Sequence, residues 1–393
     1  MNWPTSKKRR QILGISFMTF VVSMATSIIG PAQEALMSEF HLGSVAAILP
    51  LSVYVFALGL GPVIGGSLSE MVGRRPIYLY SMPVGGLFTL GVALTHNFAA
   101  ICILRFMAGF CWAPLLAVPS GTLTETFNAA ERGPISALFI LMPFLGPSLG
   151  PVIGSFLVNR AGWRWTQWTL LCLVAVCSAA APWIKETFTP VLQRRLACDE
   201  TKHKQSPARS DFGALVRRYA SDHLLRPISM LGDPILGLLC LYVSINFGIL
   251  FNFFAGIPFT FTAVYHFSLE QSGLVFLSIS IGCLLGLLTI TLCDVLIYRK
   301  KSKLGTAAPE HRLYPAMISC IGLPVGLFWF GWSARHDVSW ASPAASIILF
   351  AWGNFVRKAW DKVGCKPFGL FVASIAANPV CLVHIWSKNS RNK

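Results

Sequence analysis

Acidic side chains are scarce in this chain of 393 residues: 16 Asp and Glu stand against 32 Lys and Arg, and charged residues make up 12%. A soluble domain carries about twice that charged fraction, so a water-exposed surface is excluded over most of the length. No carboxylate falls unambiguously within the middle of an apolar run, so no proton-binding acid can be picked out there. The eleven cysteines are odd in number and scattered, mostly inside apolar runs (Cys102, Cys111, Cys172, Cys177, Cys240, Cys283 and Cys320). Their spacing matches neither a metal site nor a disulfide framework, which leaves them as small apolar packing residues. No nucleophile–base arrangement, phosphate loop or metal cluster occurs. Enzymatic chemistry, a cofactor and a metal are therefore not expected.

What is there is apolar: 54% of the residues are hydrophobic. Runs of about 20 mostly apolar residues, the length that crosses a bilayer, lie near 12–32, 45–66, 77–96, 100–120, 134–158, 165–184, 236–260, 272–295, 313–332 and 342–356. The first is too long for a signal peptide and ends in no clear cleavage site, so it reads as a span. The net charge of +16 would suit a nucleic-acid partner, but its placement argues otherwise. Lys7, Lys8, Arg9 and Arg10 precede the first span, and Arg74 and Arg75 follow the second. Arg132 lies between the fourth and fifth, and further basic clusters follow the sixth and eighth. If the spans alternate, all of these fall on one side, while loops 33–44, 97–99 and 264–270 hold no Lys or Arg. Arg160, Arg164 and Arg335 are the few exceptions. This is the positive-inside pattern, and it predicts an integral multi-pass all-α membrane protein with a cytoplasmic amino terminus.

The layout divides in two. Residues 1–184 read as an amino-terminal half of six helices, 185–228 as a cytoplasmic linker with a short amphipathic helix near 212–219, and 229–393 as a carboxyl-terminal half. That second half is incomplete after about 355, where Arg357, Lys358, Asp361, Lys362 and Lys366 interrupt the pattern before an apolar run at 367–386. If the run crossed, its basic tail would land on the wrong side. About 10 to 11 spans are expected.

Three places carry unusual chemistry. In the fifth run, Gly146, Gly150 and Gly154 recur every four residues, as do Pro143, Pro147 and Pro151. Each set forms a stripe on a helix; the prolines free carbonyls and bend the rod, and the glycines admit a close partner. After the second run comes Gly66-x-Leu68-x-Glu70-x-x-Gly73-Arg74-Arg75, where a carboxylate four residues before an arginine can pair with it. The pattern is echoed at Gly121–Glu125, followed by Arg132. Such a loop is either a conformational latch or a plain topology anchor; the echo favours the latch. Arg105 lies inside the fourth run, facing either the bundle interior or, by snorkelling, the interface. In the seventh run Asn246 and Asn252 stand among Phe247, Phe251, Phe253 and Phe254, as a cavity for amphipathic or cationic molecules or as ordinary packing. Glu34 and Glu39 read as solvated loop residues, and Trp163, Trp165, Trp168 and Trp340 as interfacial belts.

These residues resemble a known family. The Gly66–Arg75 loop is similar to the loop 2–3 signature of the major facilitator superfamily, with Glu70 where Asp is usual. Arg105 with Gly109 resembles that family's fourth-helix motif, and Gly146–Gly154 its fifth-helix antiporter motif. Trp163-Arg164-Trp165, Lys185-Glu186-Thr187-Phe188-x-Pro190-Val191-Leu192 and Pro309-Glu310-His311-Arg312-Leu313 resemble the fungal drug–proton antiporter branch, which also holds polyamine exporters. The likeness runs from about residue 11 to 354. It implies two six-helix halves, a central cavity and alternating access driven by protons. It also implies a Glu70 and Arg74 latch, proton coupling through Arg105, and a fifth-helix stripe packed against helix eight. The expected function is export of small amphipathic or cationic molecules (drugs, toxins, polyamines) by proton antiport across the plasma membrane. The expected partners are that substrate, protons and lipid, with the chain monomeric and no nucleic acid bound. The rival readings are a transport-dead product of a truncated or mis-spliced gene, and a nutrient facilitator.

Overall fold

The structure is a computed structural model that describes residues 4–127, 132–189, 191, 193, 234–298 and 314–361. Among these residues all regular structure is helical. The linker beyond 193, the amphipathic segment near 212–219 and the run at 367–386 lie outside them.

A first group of helices comprises α1 (Thr5–Ser27), α2 (Gln33–Phe40), α3 (Ser44–Ala47), α4 (Leu49–Val72), α5 (Arg74–Leu94), α6 (Phe98–Trp112), α7 (Pro114–Thr126), α8 (Arg132–Ala161) and α9 (Arg164–Ala180). A second group comprises α10 (Pro234–Tyr265), α11 (Leu269–Val275), α12 (Leu277–Cys293), α13 (Tyr314–Ser333) and α14 (Ala341–Asp361). The long helices fall on the ten apolar runs. Six stretches are long and apolar enough to cross a membrane, and four shorter apolar helices fill the remaining positions. Backbone polarity explains the form: in hydrocarbon every N–H and C=O must be satisfied within the segment, and a helix does that alone.

Proline and glycine punctuate the rods where their chemistry predicts. Gly30 and Pro31 end the first rod in a single 3-10 turn before the short cap of α2 and α3. Pro114 opens α7 at a position whose N–H has no helical partner anyway, dividing the fourth rod into α6 and α7. That break seats on α4, where Gly61 lies against Ala113 and the Phe110 carbonyl, and Gly65 against the Pro114 ring. The same device closes the second group: Gly282 meets the Ile348 carbonyl, and Gly326 and Gly353 let α13 and α14 approach backbone to backbone.

The helix α1 is the centre of the first group. Every residue from Val21 to Ile29 is buried, as expected of a helix apolar on all sides. Several of its buried hydroxyls are satisfied locally: Thr19 donates to the Ile15 carbonyl at 2.9 Å and Ser23 to the Thr19 carbonyl at 2.8 Å. The Tyr54 hydroxyl of α4 donates to the Val22 carbonyl at 3.0 Å.

The fifth rod, α8, corrects one expectation. Its glycine stripe does not face helix eight of the chain (α11 and α12); it faces α1. Gly146 lies against the Phe20 carbonyl, Ser23 and the Met24 nitrogen, Gly150 against Ser27 and Ile28, and Gly154 against the Ile28 carbonyl and Pro31. The opposite face, offset by two residues and hence about 200° around the helix, meets α11 and α12. There the Ser148 and Ser280 hydroxyls are 2.7 Å apart, and Gly273 lies against Ser155 and the Pro151 carbonyl. The sequence alone did not separate the two faces because both are small.

Gly150→Ala is expected to lower thermal stability in detergent by about 1–3 kcal/mol, since the added methyl would meet Ser27 and the Ile28 backbone. Gly14→Ala on α1, with nothing within 4 Å of the new carbon, is the control and should leave Tm unchanged or raised.

Candidate functional site

At the rim that carries the amino terminus, α4 passes to α5 through Gly73, whose φ of 106° lies in the region open to glycine. The turn leaves α5 with no cap of its own. A carboxylate from 112 residues later fills the place. Glu186 accepts the backbone N–H of Arg74 at 2.9 Å and of Arg75 at 3.0 Å, and also those of Thr187 at 3.1 Å and Phe188 at 3.0 Å. A negative charge here also faces the positive end of the helix dipole. Gly73 is required on a second count, because a side chain there would collide with this carboxylate. Next to it, the Gln11 amide donates to the Lys185 carbonyl at 3.0 Å, which ties the same segment to α1.

The Arg74 side chain turns into the bundle rather than to water. It donates to Glu125 of α7 from Nη2 at 2.8 Å and from Nε at 3.4 Å, and from Nη1 to the Ser69 hydroxyl at 3.0 Å. The guanidinium also lies 5.3 Å from the Phe188 ring centroid and against Gly121. Side-chain exposures of 10% and 19% make this a largely desolvated, forked pair. Among the described side chains, the carboxylate set on Arg74 is thus Glu125, from the echoed motif. Direction explains it: Gly73 turns the chain so that Arg74 leaves α4 and reaches toward α7. The side chains of Glu70 and Arg132 lie outside the described residues, Gly66 has open space beside it, and Arg75 is exposed.

Arg105 of α6 points inward. It is 2% exposed, donates from Nη1 to the Ala25 carbonyl of α1 at 3.0 Å, and stands 5.3 Å from the Tyr54 ring. Its Nε and Nη2 have no partner among the described residues. Gly109, one turn on, does not leave room beside the arginine; it lets the Tyr54 carbonyl come close, which holds the ring under the cation.

At the opposite rim, Glu39 and Trp163 depart from expectation. Glu39 is no free loop carboxylate. It accepts from Trp163 Nε1 at 2.6 Å and from Arg164 at 2.7 and 3.1 Å, with His96 3.0 Å from the same guanidinium. Trp163 is buried, packed with Ile29, Leu36, Val92 and Ile101, rather than interfacial. In α10 part of the expected cavity set is described. Phe251 packs on Phe254 at 5.8 Å, Asn252 is on the exposed face, and the Asn246 side chain is outside the described residues.

Among the described residues, ten rods in two groups are bridged by a glycine-faced helix and tied at one rim by buried charge, the frame of a multi-pass membrane protein. The Major Facilitator Superfamily pattern matches residues 15–379, and the chain belongs to that family, whose members are integral membrane transporters and not enzymes. It is 31% identical over 383 residues to "Polyamine transporter 4" of Saccharomyces cerevisiae, a match that covers 90% of this chain and 58% of that protein. It is 31% identical over 392 residues to "Fluconazole resistance protein 1" of the same yeast, covering 97% of this chain and 71% of that one. The chain therefore spans between about half and three quarters of the length of these relatives. Among solved structures, the proton:xylose symporter XylE aligns with a TM-score of 0.62 at 15% identity, covering 92% of this chain and 81% of that one; this shows the fold alone.

Glu125→Gln is expected to cost about 1.5–3 kcal/mol of stability, the range for a hydrogen bond to a charged group. Adding Arg74→Gln should cost little more, because the two act as one unit. Thermal unfolding of the single and double variants in detergent measures the coupling, and strict additivity would remove the pair from the account.

Proposed function

We propose that the chain is a secondary active exporter of small amphipathic or cationic molecules, working by proton antiport between two halves, 1–184 and 229–393, joined by the linker 185–228. The observation that carries this reading is the double-sided contact of α8. One face is interlocked with α1, backbone against backbone, while the other meets α11 and α12 through serine and glycine. An interlocked face moves as a unit with its partner, whereas a smooth polar face can part and re-form at low cost. That is the mechanical requirement of alternating access, in which one bundle rocks against the other around a central site.

Buried charge supports coupling. Arg105 is a cation desolvated in the bundle with no carboxylate among its described contacts. Its field disfavours a second positive charge nearby and stabilises a negative one, so protonation and substrate occupancy sense each other through it. The Arg74–Glu125 pair with the Glu186 cap serves as the latch that steadies the amino-terminal rim. Basic residues Lys7, Lys8, Arg9, Arg10, Arg75 and Lys185 share that rim, which supports a cytoplasmic amino terminus; a plasma-membrane location and a monomeric working unit complete the proposal. The similar proteins named for polyamine transport and fluconazole resistance support a cationic or drug-like substrate class.

The test is efflux of a labelled polyamine and of fluconazole from cells that express the chain, with and without a protonophore. Efflux should fall to the level of cells lacking the chain when the gradient collapses, and Arg105→Ala should do the same at full surface expression. Efflux indifferent to the protonophore excludes antiport. No efflux in either state favours a transport-inactive product.

A further inference from the structure

Among the described contacts between α8 and the α11–α12 pair, a charged group takes part at one end, the rim opposite the amino terminus. Down α8, Asn159, Ser155, Pro151 and Ser148 occupy one face, and they meet Glu270, Gly273 and Ser280 on α11 and α12. The deeper contacts are neutral: the Ser148–Ser280 hydroxyl pair at 2.7 Å, and Gly273 against Ser155 and the Pro151 carbonyl. At the rim opposite the amino terminus, the Asn159 Nδ2 amide donates to Glu270 Oε1 at 2.8 Å, and Arg160 Nε lies 3.5 Å from the same oxygen. An amide donating to a carboxylate is a charge-assisted bond, about twice as strong as a neutral one. Arg160, 73% exposed, adds little. The amide–carboxylate bond, at an exposed position itself, is the shorter of the two contacts that Glu270 makes across this end of the seam.

Glu270 is held in place for the task. His266, at φ 55°, turns the chain out of α10, and the Phe267 N–H returns to the Phe261 carbonyl at 3.2 Å. Ser268 then caps α11 in a reciprocal box. Its backbone N–H donates to Gln271 Oε1 at 3.0 Å, and the Gln271 N–H donates to its hydroxyl at 3.4 Å. The first turn is fixed, and the carboxylate projects across the seam while a quarter of its side chain remains exposed. The charged contacts at the amino-terminal rim, Arg74–Glu125 and the Glu186 cap, lie within the first group and do not cross to the second.

We propose that Asn159 and Glu270 are the outer gate pair of the transporter, a bond made when the two groups close at this rim and broken in each cycle as they part. The proposal rests on the rocking motion and the orientation put forward above. Beneath the pair, the described contacts of α8 with α11 and α12 are made by serine, glycine and a backbone carbonyl.

The test reads conformation rather than transport. Ser155→Cys (0% exposed) and Ser280→Cys (6% exposed) place reporters at two depths of the seam. Their labelling by a membrane-impermeant cationic thiol reagent is measured from outside, with the labelling of the parent chain's own cysteines subtracted. Asn159→Asp sets a carboxylate against Glu270 and should raise the labelling rate of both reporters by about tenfold or more, the factor for one charge-assisted bond. Asn159→Asp with Glu270→Gln restores a donor–acceptor pair and should return both rates to the parent values. Glu270→Gln alone, which keeps the side-chain shape, should raise the rates by about three- to tenfold. Rates unchanged in both single variants, or no recovery in the double variant, would overturn the gate. Efflux is measured separately: predicted labelling without any export sinks the export reading and leaves the gate, while export with unchanged labelling sinks the gate alone.

Discussion

Everything in this molecule depends on how closely two helices can approach when water is absent. Between helices in lipid the hydrophobic effect supplies no attraction, so association rests on packing and on hydrogen bonds made across small residues. The chain meets that constraint with glycine at each crossing that matters: Gly61 and Gly65 under Pro114, Gly146 to Gly154 on α1, Gly282 on α14, and Gly326 and Gly353 between α13 and α14.

The polar residues follow from the same constraint. A charge withdrawn from water must be answered nearby, or the fold is destabilised by several kcal/mol. Arg74 is answered by Glu125 and Ser69, Glu186 by four N–H groups, and Glu39 by Trp163 and Arg164. Arg105 is answered in part, by one carbonyl and a ring. A residue kept in that condition in the middle of a bundle is the kind that function retains at a cost in stability.

Much of the fold was legible in the sequence, because lipid reduces structure prediction to hydropathy and charge placement. The ten apolar runs became the rods, and Lys7, Lys8, Arg9, Arg10, Arg74, Arg75 and Lys185 share one rim. The proline at 114 and the pair Gly30-Pro31 mark breaks that composition alone could flag. The joints were less legible. The stripe Gly146, Gly150 and Gly154 announced a close partner, but Ser148, Pro151 and Ser155 beside it are equally small, and nothing local says which face meets which helix. The Glu125 partner of Arg74 is hard to read locally, because it stands 51 residues away with only its echoed Gly-x-x-x-Glu pattern as a signal. The capping role of Glu186 was hidden for the same reason, since a donor set 112 residues distant has no local periodicity. Glu39 and Trp163 were read singly as surface residues and are a pair across three loops.

The central claim is that α8 is fixed to the first group of rods and loose against the second. Pulsed electron paramagnetic resonance between spin labels tests it most directly, with one label at Ala161→Cys and the other at either Glu34→Cys, beside the end of α1, or Leu274→Cys on α11, all at one rim. The account predicts one narrow Ala161–Glu34 distance in every condition, and an Ala161–Leu274 distance that shifts or splits when a proton gradient or substrate is applied. A moving first distance with a constant second would contradict it.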